Sequence, residues 1–529
     1  MIGAGVGGLA AAARLAGAGH EVVVYERSPV VGGKLGVYDR EGFVFDTGPS
    51  LLTMPHLFDD LAVHPVPLDP VVRHVFPDRT VLDSSSCPEV FLERIAAAMG
   101  AGAAADWARF WRRASRIWEA SWRSVLRRPV TPTSLAALSW RVGDVAAIAP
   151  WRSLRALGRH YLRDVRLRMM LDRYATYAGA DPRRAPAALA AIPYAELTFG
   201  GWYLPGGLGT LAAALLARCR SLGVSVVLDS PVSGICVAGA ASAGAASAGA
   251  ASAGAASAGA ASAGAASAGA VSAGDFPARP GPRLRRSTAD GRVSGVRLAS
   301  GQLVPADIVV SDVDALTVYR DLLPTPSRLG RLADRSLAGF VLLLGVRGTT
   351  PELAHHTVFF PSYYDAEFDA VFGTPSRRAR PASNPAIFIT RAADPAVHPP
   401  GHEAWFVLVN APRHGTAWSA LDWSRPGLAE DYRDHILAVL AARGLDVRDR
   451  LLFAETRTPR DLADATAAPG GAIYGPAGGL LRPPNRGPVP GLWLVGGSTH
   501  PGGGLPMVTL SAQIVADAIE PASAEPQST

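Results

Sequence analysis

Gly3-Ala4-Gly5-Val6-Gly7-Gly8 stands at the start of the chain, and the run from there to Glu26 decides the fold. Each spaced glycine of a GxGxxG pattern has a mechanical reason. One makes a tight turn, one admits a pyrophosphate close to backbone, and one lets a helix touch a sheet. Leu9 to Ala18 is rich in alanine and leucine and predicts a helix whose amino end faces those phosphates. Glu21-Val-Val-Val-Tyr25 then predicts a buried parallel strand, and Glu26 stands where a carboxylate accepts hydrogen bonds from a ribose hydroxyl. The glycines alone would be a weak signal in so Ala/Gly-rich a chain, but glycines, helix, strand and acid in this order specify a Rossmann-type dinucleotide fold. The strand ahead of the glycines is only Met1-Ile2, short of the roughly five residues usual for a central strand. The expectation is that the true start lies upstream.

Working outward, Gly32-Gly33-Lys34 predicts a loop that lets backbone pass close to a cofactor, and Gly42-Phe-Val-Phe-Asp-Thr-Gly-Pro-Ser50 follows, with Gly48 inside it. At the far end, Gly491-Leu-Trp-Leu-Val-Gly-Gly-Ser-Thr-His-Pro-Gly-Gly-Gly-Leu-Pro-Met507 predicts a strand, a glycine turn at Gly496-Gly497, and a helix from about Val508 to Ile519. That turn offers a second group of backbone N–H donors at a helix start.

These two ends, with Trp202-Tyr-Leu-Pro-Gly-Gly-Leu-Gly-Thr210, Ala468-Pro-Gly-Gly-Ala-Ile-Tyr-Gly475 and Arg482-Pro-Pro-Asn-Arg486 in order between them, resemble the carotenoid (phytoene) desaturase family within the flavin amine oxidase superfamily. The resemblance implies an α/β fold: a discontinuous Rossmann-type FAD-binding domain with an inserted α+β substrate domain. It implies FAD as cofactor, with Gly3, Gly5, Gly8, Glu26, Gly32, Gly33, Lys34, Gly48, Gly496, Gly497 and Met507 as binding residues. Thr499 and His500 are candidates beside the flavin, and no catalytic base is assigned. The implied activity is desaturation of phytoene or of a later, modified carotenoid. Met507 stands where phytoene desaturases often carry glycine, which leaves the polyene open. The alternatives are a carotenoid isomerase or oxidase of the same family, an amine oxidase, and a polyene-binding protein without catalysis. The implied acceptor of the electrons is a quinone or oxygen.

The expected boundaries are 1–65, 196–320 and 465–529 for the FAD-binding domain, and 66–195 and 321–464 for the substrate domain. A flexible AGAAS-repeat insert fills 238–290. Its five-residue period advances a helix by about 140°, so no constant face forms. With 529 residues, two domains are the natural expectation. The net charge of +6 hides a local excess, since residues 101–173 carry 15 arginines against five acids. No basic motif with base-stacking aromatics accompanies it, so nucleic acid is not an expected partner. Cys87, Cys219 and Cys236 form no CxxC pair, and no metal site is expected. The expected location is cytoplasmic, peripheral to the inner face of the cell membrane. Trp107, Trp111, Trp118 and Trp122 share one helical face opposite Arg109, Arg112, Arg113, Arg116 and Arg123. That stripe suits a membrane interface, packing onto the substrate domain, or a substrate entrance. Tyr161, Val165, Met169 and Tyr174 predict core, and His355-His356 an exposed pair.

Overall fold

The structure is a computed structural model that describes residues 1–238, 291–324, 329–477 and 482–519, with the side chains of Leu135 and Arg331 set aside. The expectation for the repeat insert falls on residues outside these.

Met1-Ile2 does occupy the central position of a parallel sheet. The Ile2 N–H donates to Val310 O at 2.9 Å and the Gly3 N–H to Tyr25 O at 2.8 Å, so the short segment is paired on both sides. Outward on one side run Val23–Tyr25 and Ser225–Val227, and on the other Val309–Ser311 and Leu492–Leu494, all parallel. The chain reverses direction across the sheet at Ile2, so the crevice at the carboxyl ends of Ile2 and Val309–Ser311 is the topological switch point where such folds bind ligands. Helix Val6–Gly17 covers the sheet and packs on helices Gly209–Ser221 and Leu505–Ala518. Its Ala10, Ala11 and Ala12 are wholly buried, small enough for three helices to approach. A three-stranded antiparallel sheet of Val232–Val237, Val293–Leu298 and Leu303–Pro305 completes this half.

The other half rests on a seven-stranded sheet, in the order Leu451–Arg457, Ala338–Arg347, His402–Ala411, Ile387–Arg391, His356–Phe359, Arg73–Val75 and Val81–Asp83. Every residue of the second strand from Ala338 to Val346 is buried, because both faces are covered. Leu342 and Leu344 meet helix Leu428–Ala442, while Val341 and Leu343 meet Phe43 and Phe45 of the hairpin Val37–Asp46. At the other end of the sheet, helices Pro88–Met99, Ala101–Ser121, Val165–Arg173 and Ala191–Phe199 enclose a large apolar core.

The tryptophan stripe turns inward. Trp107 and Trp118 are buried in that core and Trp111 and Trp122 pack against it, while Arg109, Arg112, Arg116 and Arg123 stay in solvent. Two readings need correction. His356 is buried, its ring nitrogens 3.3 Å from Val71 O and 3.1 Å from Ser50 O, one of which accepts the single N–H of the neutral ring, with His355 half-buried beside it. Val165 is exposed because it opens its helix after the break at Leu162, out of phase with Tyr161.

Candidate functional site

At the switch point the first glycines are needed by contact. A Cβ on Gly8 would lie 2.2 Å from Gly3 O, so helix and strand could not approach as they do. Gly3 itself has φ +92°, open to glycine and strained for other residues. Glu26 ends the second strand, and its carboxylate accepts from the Ala4 N–H at 2.7 Å and the Ser28 N–H at 2.9 Å. It ties the glycine turn to the strand and keeps further lone pairs for a hydroxyl donor. Gly32 bridges to Gly5, and a Cβ on Gly33 would stand 3.3 Å from Gly5 Cα, so the second glycine loop lies on the first. Gly48 presses on Lys34, whose carbonyl oxygen would be 1.8 Å from a Cβ there. The Lys34 ammonium donates to Ile473 O at 2.7 Å and Ala472 O at 3.1 Å, and burial lowers its pKa to about 8.

The carboxy-terminal turn meets this loop directly: a Cβ on Gly7 would lie 3.0 Å from Gly496 Cα. Gly497 faces Gly503, and Met507, on the first turn of helix Leu505–Ala518, packs toward the apolar core of the other half. Thr499 and His500 are buried with their side chains committed to backbone. Thr499 Oγ1 donates to Gly496 O at 3.0 Å, and His500 Nε2 reaches Val125 O, an acceptor, at 3.1 Å. Burial lowers the His500 pKa to about 4, so the ring is neutral at physiological pH. Both side chains shape the turn. Asn485 does the same, donating to Leu494 O, His500 O and Ser511 Oγ. In the Phe45-Asp46 stretch, the Asp46 carboxylate accepts from Leu208 and Gly209 N–H at 2.7 and 2.9 Å, joining two of the family-like motifs.

The sequence reading missed Asp312. It follows Val309–Ser311 and stands between the two glycine turns: its carboxylate oxygens would be 2.3 Å from a Cβ on Gly5, 2.6 Å from one on Gly7 and 2.1 Å from one on Gly496. Burial raises its pKa to about 7; a hydrogen bond from the Gly8 backbone and the Lys34 charge pull the other way, and the Glu26 charge pushes it up. Close by, Asp314 pairs with Arg335, both buried, and buried Arg482 donates to Tyr474 O and Pro476 O. No local pattern marks Asp312, Asp314 or Arg335, because their partners are distant in sequence.

The donor set fits a dinucleotide. Helices Val6–Gly17 and Leu505–Ala518 start at Gly5 and Gly504 with no side-chain cap and no acid in the first turn, which leaves positive helix ends without an acidic side chain of their own. Among the described residues no group of His, Cys, Asp and Glu could hold a metal ion. A glycine-lined crevice at the switch point of a parallel sheet, with two uncapped helix ends and a carboxylate at the end of the second strand, has the build of a dinucleotide-binding site.

Comparisons with known proteins agree. The profile of the family described as flavin containing amine oxidoreductase matches residues 6–251. A 4,4'-diapolycopene oxygenase from Methylomonas is 31% identical over 98% of this chain and 97% of its own. A hydroxyneurosporene desaturase from Cereibacter sphaeroides is 30% identical over 98% and 96%. Among solved structures, an oxidoreductase from Methanosarcina mazei superposes with a TM-score of 0.59 at 16% identity, covering 98% and 99%. A putrescine oxidase bound to putrescine gives 0.54 at 14%, covering 98% and 97%. The chain belongs to the flavin-containing amine oxidoreductases, and within them to the carotenoid desaturase family. It is an FAD-dependent oxidoreductase.

Proposed function

We propose that this protein oxidises a carotenoid, by desaturation or oxygenation, and acts on a late, already modified polyene rather than on phytoene. The observation that carries the reading is similarity along nearly the whole chain to enzymes named for diapolycopene and hydroxyneurosporene. Gly3, Gly5, Gly8, Gly32, Gly33, Gly48, Gly496 and Gly497 would give the backbone room to approach FAD, Glu26 would accept from the ribose, and Lys34 would hold the loop. Met507 would meet the polyene, since it already packs toward the apolar core. Bound FAD supplies the two-electron oxidant for hydrogen removed from the polyene. The protein's own part is alignment and exclusion of water, because a hydrocarbon offers no charge to grip. The quinone or oxygen that takes the electrons on is part of the same proposal.

The division of the chain into an FAD-binding and a substrate domain at the expected boundaries belongs to this reading. So does a membrane surface as the source of substrate. No helix among the described residues is long and apolar enough to cross a membrane. The residues we assign to lipid are Trp140, Val142 and Trp151, all strongly exposed, on the same stretch of chain as exposed Arg127, Arg128 and Arg141. Next to the tryptophan helix, an apolar cleft of about 220 Å³ lined by Phe91, Leu92, Trp107, Trp111 and Leu197 would serve as the entrance.

The test is reconstitution with FAD and incubation of the protein with liposomes carrying phytoene, a hydroxylated neurosporene or diapolycopene. The expected result is a flavin spectrum with loss of two hydrogens per step or gain of oxygen on a late polyene. A protein that takes up no flavin, or converts only amines, overturns the reading.

A further inference from the structure

A charged group sits where the apolar core of the second half should be dry. Arg173 ends helix Val165–Arg173 and is only 7% exposed. Among the described residues it forms no ion pair. Its side chain makes one hydrogen bond, from Nη1 to the Tyr177 hydroxyl at 3.0 Å, and its guanidinium lies over the rings of Tyr177 at 5.0 Å and Phe388 at 5.2 Å. A guanidinium has five N–H donors, so most of its capacity is unspent. Beside it, the Tyr174 hydroxyl donates to Glu196 Oε1 at 2.7 Å, while Glu196 Oε2 is buried without a hydrogen-bond partner. The Tyr364 hydroxyl and His74 Nε2 are buried and unpartnered too, within reach of the Arg173 charge.

A buried polar atom without a partner destabilises the fold, and more so if charged. A half-satisfied network of this kind serves stability worse than leucine would. Its place in the fold suggests the use. Tyr174 and Tyr177 lead to Gly179, whose carbonyl accepts from the Leu337 N–H at 3.0 Å. Ser336 Oγ accepts from the Tyr474 N–H at 3.0 Å, and the Tyr474 ring lies against Gly503 of the carboxy-terminal turn. Met507 borders the same core. The cluster is thus embedded in the apolar region that the polyene reading requires, on the side of the glycine turn.

We infer that Arg173, Tyr177 and Glu196 form a polar subsite that recognises a hydroxyl group on the polyene substrate. This rests on the carotenoid reading above and specifies it. A hydroxyl matches the unspent capacity on both sides, because its oxygen accepts from Arg173 while its hydrogen goes to Glu196 Oε2. Burial raises the pKa of the Glu196 carboxyl, against the pull of the Arg173 charge and of hydrogen bonds from the Tyr174 and Tyr177 hydroxyls. A hydrocarbon of the same length would leave both unmatched. A site built to bond a hydroxyl discriminates by far more than an apolar pocket can.

The test compares a hydroxylated polyene with the hydrocarbon of the same length and unsaturation, using the FAD-loaded, full-length protein in liposomes. Expected is a preference in kcat/KM of roughly 10,000-fold for the hydroxylated substrate. Arg173→Met and Glu196→Gln reduce it to within roughly threefold, raising KM for the hydroxylated substrate with turnover of the hydrocarbon kept. Arg173→Lys recovers part of the preference. Flavin absorbance and the shift of the polyene spectrum on binding report folding and occupancy apart from turnover. Equal use of both polyenes by the wild type, or equal losses for both in Arg173→Met and Glu196→Gln, overturns the subsite while the carotenoid reading stands. Conversion of neither polyene overturns the carotenoid reading, and the subsite with it.

Discussion

Replacing Asp312 by asparagine removes a titrating group from the crevice and nearly preserves its shape. The folded protein holds the Asp312 proton up to about pH 7, whereas the ordinary value is 3.8. Between those values the folded state binds more protons than the unfolded state, so this group makes stability fall as pH rises from about 4 to about 7. A rise of that size corresponds to about 4 kcal/mol, an upper figure because a buried carboxyl can relax. The asparagine variant would carry no such dependence. The difference in unfolding free energy, Asp312→Asn minus wild type, is therefore expected to grow in favour of the variant by up to about 4 kcal/mol across that window. Urea unfolding of the FAD-free protein at intervals from about pH 4.5 to 7.5 measures it, with Lys34 still mostly protonated because its pKa is about 8. In the FAD-loaded protein a diphosphate near Asp312 would raise its pKa further, so wild-type affinity for FAD should weaken above pH 7 and that of the variant should not. A stability difference constant with pH would refute the assignment of a raised pKa to Asp312.

Gly8→Ala forces a methyl to 2.2 Å from Gly3 O. Prying the helix off the strand should cost about 1–3 kcal/mol and lower FAD affinity roughly 100-fold, read by flavin fluorescence on dialysis. Trp107→Ala empties a site packed by Phe91 and Phe110 at 5.4 and 5.1 Å, and about 3–5 kcal/mol of stability should go with it in denaturant titration. Asp314→Asn strands a buried guanidinium on Arg335, a loss of about 3–5 kcal/mol that thermal melts would register. Trp140→Ser with Trp151→Ser should leave the melting temperature within a few degrees but weaken co-sedimentation with anionic liposomes at least about tenfold; unchanged sedimentation would remove the lipid assignment.

Local physics carried the reading of the amino terminus. Glycines, helix, strand and Glu26 follow one another within a few turns, and each constrains the next, so the parallel half was legible from a short stretch. The carboxy-terminal turn was legible for the same reason. The alternation of faces along Ala338–Arg347 was hidden, since a strand covered on both sides reads as one apolar run. His356 looked exposed because a histidine pair is polar, yet its two ring nitrogens find Val71 and Ser50 carbonyls hundreds of residues away. Asp312, Arg173 and Glu196 escaped for a related reason. Arg173 sits at an apolar phase of its helix, which is a signal, but its meaning depends on Tyr177, Glu196 and Phe388 being brought together by the fold.

The sheet order also dictates when this protein can acquire its cofactor. Ile2 pairs on one flank with Tyr25, available at once, but on the other with Val309–Ser311, whose own neighbour is Leu492–Leu494. The second uncapped helix end arrives only with Leu505–Ala518. During synthesis the glycine turn therefore leaves the ribosome long before the segments that complete the crevice. The crevice is therefore complete only once Leu505–Ala518 has been made, and both helix ends can hold FAD together only after that point.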